Sequence, residues 1–147
     1  MSNRSALDVA NYFLSQSEPE YGDYISNLKL QKLLYYAQGA SLAITGKPLF
    51  DEDILNWEHG PVVYSVWTQF RDNGASAIQR PDEFDGSIFS EEQREILNDV
   101  AEVFGQFSAW KLRSMTHEEK PWKTTKRNEV IPKDLLKSYF EESVVQK

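Results

Sequence analysis

Leu28-Lys29-Leu30-Gln31-Lys32-Leu33-Leu34-Tyr35-Tyr36-Ala37-Gln38 opens the longest stretch of this 147-residue chain that keeps a helical period. Leu30, Leu33, Leu34, Ala37 and Ile44 fall on one side of a 3.6-residue repeat, and Tyr36, Ala40 and Ala43 widen that face beyond a single stripe. A helix apolar over so much of its circumference belongs at the centre of a fold. Ser26 or Asn27 can cap its first free N–H groups, and Gly46 followed by Pro48 marks its end, so the spacing predicts a central helix over about 27–45. Gly39 in its interior costs about 1 kcal/mol against alanine, a cost most simply accepted where another helix crosses closely.

On the N-terminal side, Ala6, Val9, Ala10, Phe13 and Leu14 predict an amphipathic helix from Ser5 to about Ser15, broken by Glu18-Pro19-Glu20-Tyr21-Gly22. On the C-terminal side, residues 49–57 hold no helical stripe and read as a loop with a short extended or hairpin piece. Gly60-Pro61 favours a helix start, because proline suits a first turn, and Val63, Val66, Trp67 and Phe70 carry the period until Asn73-Gly74. Residues 75–89, with Pro81, Gly86 and several acids, read as a loop. Ser90-Glu91-Glu92-Gln93 is a capping box opening a helix with Ile96, Leu97, Val100, Val103 and Phe104. Gly105 interrupts, Ser108 caps a shorter helix bearing Trp110, Leu112 and Met115 that ends near Thr116-His117, and Pro121 and Pro132 bracket a basic loop. A last helix carries Leu135, Leu136, Tyr139 and Phe140. The expected architecture is all-α (mainly α): a compact bundle of about six helices around the long central one. Residues 1–147 form one domain in this reading, with a basic C-terminal helix and a short frayed tail over about 130–147.

Composition narrows the function. With 40% hydrophobic residues spread along the chain, a packed core is expected and disorder is not. The absence of cysteine excludes disulfides, thiolate nucleophiles and thiolate zinc sites. Met1-Ser2-Asn3-Arg4-Ser5 leads straight into an amphipathic segment, with neither the apolar core of a signal peptide nor a run that spans a bilayer, so a cytoplasmic protein without membrane contact is expected. The net charge of −7 is uneven: residues 1–110 hold 7 basic and 17 acidic side chains, residues 111–147 hold 9 and 6. Such an acidic body favours basic partners and repels phosphate backbones, so direct nucleic-acid binding is not expected.

Catalytic groups do not assemble in the sequence. His117-Glu118 begins like a zinc-protease helix, but Pro121 stands where the second histidine is required. His59 is the other histidine, and both histidines read as hydrogen-bonded turn side chains. Asp51-Glu52-Asp53 and Asp82-Glu83-Phe84-Asp85 lack the order of an EF-hand loop and read as solvated acids. No phosphate-binding glycine loop or nucleophile elbow is present. No catalytic, cofactor or metal residue is therefore assigned, and a binding protein is expected instead of an enzyme. The four tryptophans carry more information. Trp57 and Trp122 stand at turns beside glycine or proline, where tryptophan locks loops onto a core, and core packing is the expectation for each tryptophan taken singly. Tryptophan and tyrosine are also frequent interface anchors, which makes Trp57, Tyr64 and Trp67, near the Gly60-Pro61 turn, the candidate partner-binding residues.

The segment from Leu28 to Gln38, then Gly46-Lys47-Pro48-Leu49-Phe50, Trp57 with Gly60-Pro61-Val62, Ser108, Trp110 and Leu112, and Thr116-His117 with Pro121-Trp122, resembles in order and spacing the Panacea antitoxin domain, a phage-associated family that includes SocA-like proteins. The resemblance covers most of residues 5–125. It implies an α-helical antitoxin that neutralises a cognate protein toxin, encoded by the adjacent gene, through direct binding. Delivery of a toxin to a protease as an adaptor, or a small enzyme with an unrecognised site, are the alternatives. Leu30, Lys32, Leu33, Tyr36, Gly60, Pro61, Trp110, Thr116, His117, Pro121 and Trp122 carry the pattern, and read physically they look like fold determinants that need not touch the toxin.

Overall fold

Serine side chains start four of the helices in the computed structural model, which describes residues 4–18 and 24–144. Ser5 caps α1 (Ala6–Gln16) and Ser90 caps α4 (Glu91–Phe104), each completed into a capping box by Asp8 and Gln93 reaching back. Ser26 caps α2 (Asn27–Thr45) and Ser108 caps α5 (Ala109–His117), each accepting from the N–H three residues on. Strands β1 (Leu55–Trp57) and β2 (Gly60–Val62) form an antiparallel hairpin with Asn56 opposite Pro61, and α3 (Tyr64–Gln69) follows it directly. Helices α6 (Lys120–Thr124) and α7 (Lys133–Ser143) complete the order.

The fold is mainly α, with α2 at its centre: α1, α3, α4, α5, α7 and β2 all pack on it. Leu30, Leu33, Leu34, Tyr35, Tyr36 and Ala37 are all buried. Gly46 closes α2 in the left-handed region at φ +79°. Gly39 has the expected close crossing, since a Cβ added there would lie 2.4 Å from the Phe140 ring of α7.

Three expectations need correction. Pro61 does not begin a helix but lies in β2, and helical geometry starts only at Tyr64. The cause is tertiary: the Pro61 carbonyl and the Val63 N–H are both held by side chains of α2, which keeps the segment extended until the clamp ends. The basic loop between Pro121 and Pro132 contains α6, with Pro121 in its first turn, so seven α-helices stand among the described residues where about six were expected. Ile44 and Val103 are 51% and 49% exposed, each in the last turn of its helix, although Phe104 beside Val103 stacks on the buried Tyr36. The short extended piece expected near 49–57 is present: β1 lies at the end of that stretch and pairs with β2. Residues 19–22 of the expected break after α1, and the tail residues 145–147, lie outside the described residues. Among the described residues no helix is long and apolar enough to cross a membrane.

Candidate partner-binding surface around the hairpin

Polar side chains on the buried helix α2 fix the hairpin in place. The fully buried Lys32 amine donates to the Pro61 carbonyl at 3.0 Å. Gly60, at φ +112°, makes room for it: a Cβ there would fall 2.6 Å from Lys32 Cε and 3.0 Å from Thr116 Oγ1. Burial, reinforced by the Arg113 charge, pushes the Lys32 amine down to about 7. One residue earlier, Gln31 Oε1 accepts the Val63 N–H at 2.9 Å while its Nε2 donates to Asn27, and Asn27 Nδ2 donates to the Trp67 carbonyl at 3.1 Å. Gln38 holds the 49–50 segment in the same manner, accepting from Leu49 N–H and donating to the Phe50 carbonyl. The Tyr35 and Tyr36 hydroxyls each donate to one oxygen of Glu119, both at 2.8 Å, which fixes the start of α6. Burial, then the Glu119 charge, raises both tyrosine pKa values, and burial raises that of Glu119. All of these bonds but the Gln31–Asn27 one satisfy a backbone group or hydroxyl, and leaving such a group buried without a partner costs about 1–3 kcal/mol.

The outer side of this clamped hairpin is aromatic. The Trp57 ring meets Tyr64 and Trp67 edge-on at 6.0 and 5.3 Å, and the Arg71 guanidinium lies 5.5 Å from the Trp67 ring centre. In the hairpin turn, His59 Nδ1 accepts from Arg113 Nε at 3.0 Å, and Arg113 lies over Trp110 at 4.5 Å. Trp122 Nε1 donates to the Trp57 carbonyl at 2.9 Å. Its ring stacks on His117 at 3.9 Å, with Arg127 at 3.8 Å. Asn56 Nδ2 donates to the Trp122 and Thr125 carbonyls and so ties β1 to the end of α6. Trp110 also walls an open groove of about 840 Å³ with Tyr24, Leu28 and Phe107.

The three candidate partner-binding residues, Trp57, Tyr64 and Trp67, are thus brought together into one cluster, with Tyr64 52% exposed and both tryptophans half-buried. Among the pattern residues, Leu30, Lys32, Leu33, Tyr36 and Thr116 are fully or almost fully buried, and Gly60 and Pro61 are buried in β2. Trp110 departs from the core role expected of it: it is 62% exposed, because α5 turns Leu112 and Thr116, four residues apart, toward the core. His59 is the hydrogen-bonded turn residue expected. His117 ends α5, hydrogen-bonded to the Glu58 backbone in the hairpin turn and stacked on Trp122; its buried Nε2 has no hydrogen-bond partner, and desolvation followed by the Arg113 charge lowers its pKa. The sequence reading missed Arg71, Arg113 and Arg127. Two of them stood four and three residues after a tryptophan, the spacing that places side chains on one helix face, whereas Arg127 reaches Trp122 without that spacing.

The model of the SocA-like antitoxin Panacea domain matches residues 30–123, from inside α2 to inside α6. The chain belongs to the SocA-like Panacea antitoxin family. It is similar to Antitoxin SocA of Caulobacter vibrioides (strain NA1000 / CB15N), 46% identical over 54 residues that make up 37% of this chain and 29% of that protein. The match thus spans less than a third of the length of this curated relative. No solved structure matches the chain. The Panacea span takes in the Lys32, Gln31, Gln38 and Tyr35–Tyr36 bonds, the whole hairpin and Trp122.

Proposed function

We propose that this Panacea-family protein acts as an antitoxin by binding a protein toxin directly, with Trp57, Tyr64 and Trp67 as anchors in the contact. The observation that carries the reading is the outer side of the clamped hairpin and of α3 beside it, where the Trp57 ring packs edge-on against both Tyr64 and Trp67, in a chain of an antitoxin family. Aromatic anchors in the centre of a contact supply most of the binding energy of protein pairs, and a surface already held in place loses little freedom on docking. Lys32 and His117, whose pKa values are shifted, take structural parts in this reading: Lys32 is spent on the Pro61 carbonyl and His117 on Trp122. Catalysis has no part in it.

The partner is the toxin encoded by the adjacent gene. The two proteins are expected to co-purify, and growth arrest by the toxin is expected to be relieved on co-expression. Mixing purified proteins with no protease present separates direct neutralisation from delivery to a protease, since only the former restores the toxin's target activity. Trp67→Ala and Tyr64→Ala are expected to weaken the complex about tenfold or more. A toxic neighbour that neither co-purifies with this chain nor loses toxicity in its presence defeats the proposal.

A further inference from the structure

We propose, resting on the direct-binding reading above, that the surface around the hairpin docks an acidic segment of the partner protein, with carboxylates received by three arginines that lie over tryptophan rings. The pairs are Arg71 on Trp67, Arg113 on Trp110 and Arg127 on Trp122. All three meet the hairpin: the Trp57 ring packs on Trp67, His59 receives Arg113, and the Trp57 carbonyl holds Trp122.

The charges around the hairpin differ in sign from the rest of the chain. Between residues 111 and 127 stand Lys111, Arg113, Lys120, Lys123, Lys126 and Arg127 against Glu118 and Glu119. Glu119 is turned inward to Tyr35 and Tyr36, and Glu118 pairs with Lys123. The ion pairs among the described residues join Lys123 to Glu118, Lys133 to Asp53 and Lys137 to Glu141, and none involves these three arginines. Arg113 uses Nε on His59 and Arg127 uses one N–H on the Trp122 carbonyl, which leaves most of each guanidinium edge available to an acceptor from outside. A guanidinium held over an indole is restrained before binding, and its planar edge matches a carboxylate with two parallel hydrogen bonds.

A protein segment fits better than a nucleic acid. Exposed Glu58, Asp72 and Glu129 stand within two residues of Trp57, Arg71 and Arg127 in sequence, and residues 1–110 carry an excess of ten acids. A continuous phosphate backbone crossing the surface would meet these carboxylates within the ~8 Å over which charge acts at physiological salt, whereas separate side-chain carboxylates can address the arginines one at a time.

The test uses the full chain labelled with ¹⁵N, its four tryptophan indole signals assigned by single Trp→Phe variants. Decaglutamate, decalysine and a single-stranded RNA decamer are the probes. Decaglutamate is expected to shift the Trp110 and Trp122 signals saturably, decalysine to leave them in place, and the double reversal Arg113→Glu with Arg127→Glu to abolish the response while the circular-dichroism melt stays unchanged. The same reversal is expected to weaken binding to the neighbouring gene product about tenfold or more, with Arg113→Lys and Arg127→Lys losing less because charge is kept and only the planar fork is lost. Indole signals unmoved by decaglutamate, a response to RNA at lower concentration than to the peptide, or a toxin affinity untouched by the charge reversal each overturn the inference. If the wild-type chain does not bind the neighbouring product at all, the antitoxin proposal fails, and the decaglutamate titration still decides the present one.

Discussion

Replacing Gly39 by alanine reverses the usual sign of a glycine-to-alanine change in a helix. In an unobstructed helix interior the substitution stabilises by about 1 kcal/mol, because glycine loses the most backbone freedom on folding. Here the new Cβ lies 2.4 Å from Phe140 Cε1 and Cζ and 2.6 Å from Cδ1, so the ring has to retreat by about 1 Å to reach ordinary contact near 3.4 Å. It has nowhere to go. Phe140 is fully buried, with the rings of Tyr35, Tyr36 and Tyr139 at 5.5, 6.0 and 5.7 Å. Overpacking of a tight core costs about 1–3 kcal/mol, and three ring atoms in conflict argue for the upper part of that range. Subtracting the helix gain leaves a net loss of about 1–2 kcal/mol for Gly39→Ala. Urea denaturation reads it as a lower midpoint at unchanged slope. Combining it with Phe140→Leu, which vacates the ring edge, is expected to give a double variant less destabilised than the two single changes added together, by about 1 kcal/mol or more. A midpoint at or above that of the wild type, or strict additivity with Phe140→Leu, would refute the close crossing of α2 and α7.

Other perturbations test the same framework. Leu33→Ala or Leu34→Ala, both almost fully buried in α2, is expected to lower stability by about 2–5 kcal/mol, whereas Trp110→Ala, at an exposed position, is expected to change it by about 0.5 kcal/mol or less; equal midpoint shifts would contradict the burial pattern. Lys32 makes stability depend on pH: between about 7 and its ordinary 10.5 the unfolded chain holds a proton that the folded chain does not, so stability rises with pH in that window, by up to about 1.4 kcal/mol per unit. Melts from about pH 7 to about pH 9 are expected to show this rise in the wild type and to lose it in Lys32→Met, and a slope that survives the substitution would exclude Lys32 as its source. Glu119→Gln leaves one oxygen for two buried tyrosine hydroxyls and is expected to cost about 1–3 kcal/mol by urea titration; an unmoved midpoint would mean that the two bonds contribute nothing net.

The sequence by itself determined the features whose causes lie within a few residues. Ser26, Ser90 and Ser108 were legible as helix starts because an unpaired N–H finds its acceptor one turn away, and Gly46 as a stop because its positive φ favours glycine. The leucines of α2 were legible from their period, and the ordered pattern from Leu28 to Trp122 was enough to recognise the Panacea family. Trp57, Tyr64 and Trp67 could be named from their place beside a turn, but nothing local says that their rings touch. Tertiary structure alone decided the rest. Periodicity assigns polar residues to solvent by default, yet Gln31, Lys32 and Gln38 are buried because their partners are backbone groups 11 to 32 residues away in sequence. Pro61 shows the same limit: its local chemistry favours a helix start, and a lysine amine from a distant helix holds it in a strand. A hydrogen bond across so long a loop forms only after the chain has closed it, so its outcome is written in the packing of α2 against the hairpin and not in the residues beside Pro61.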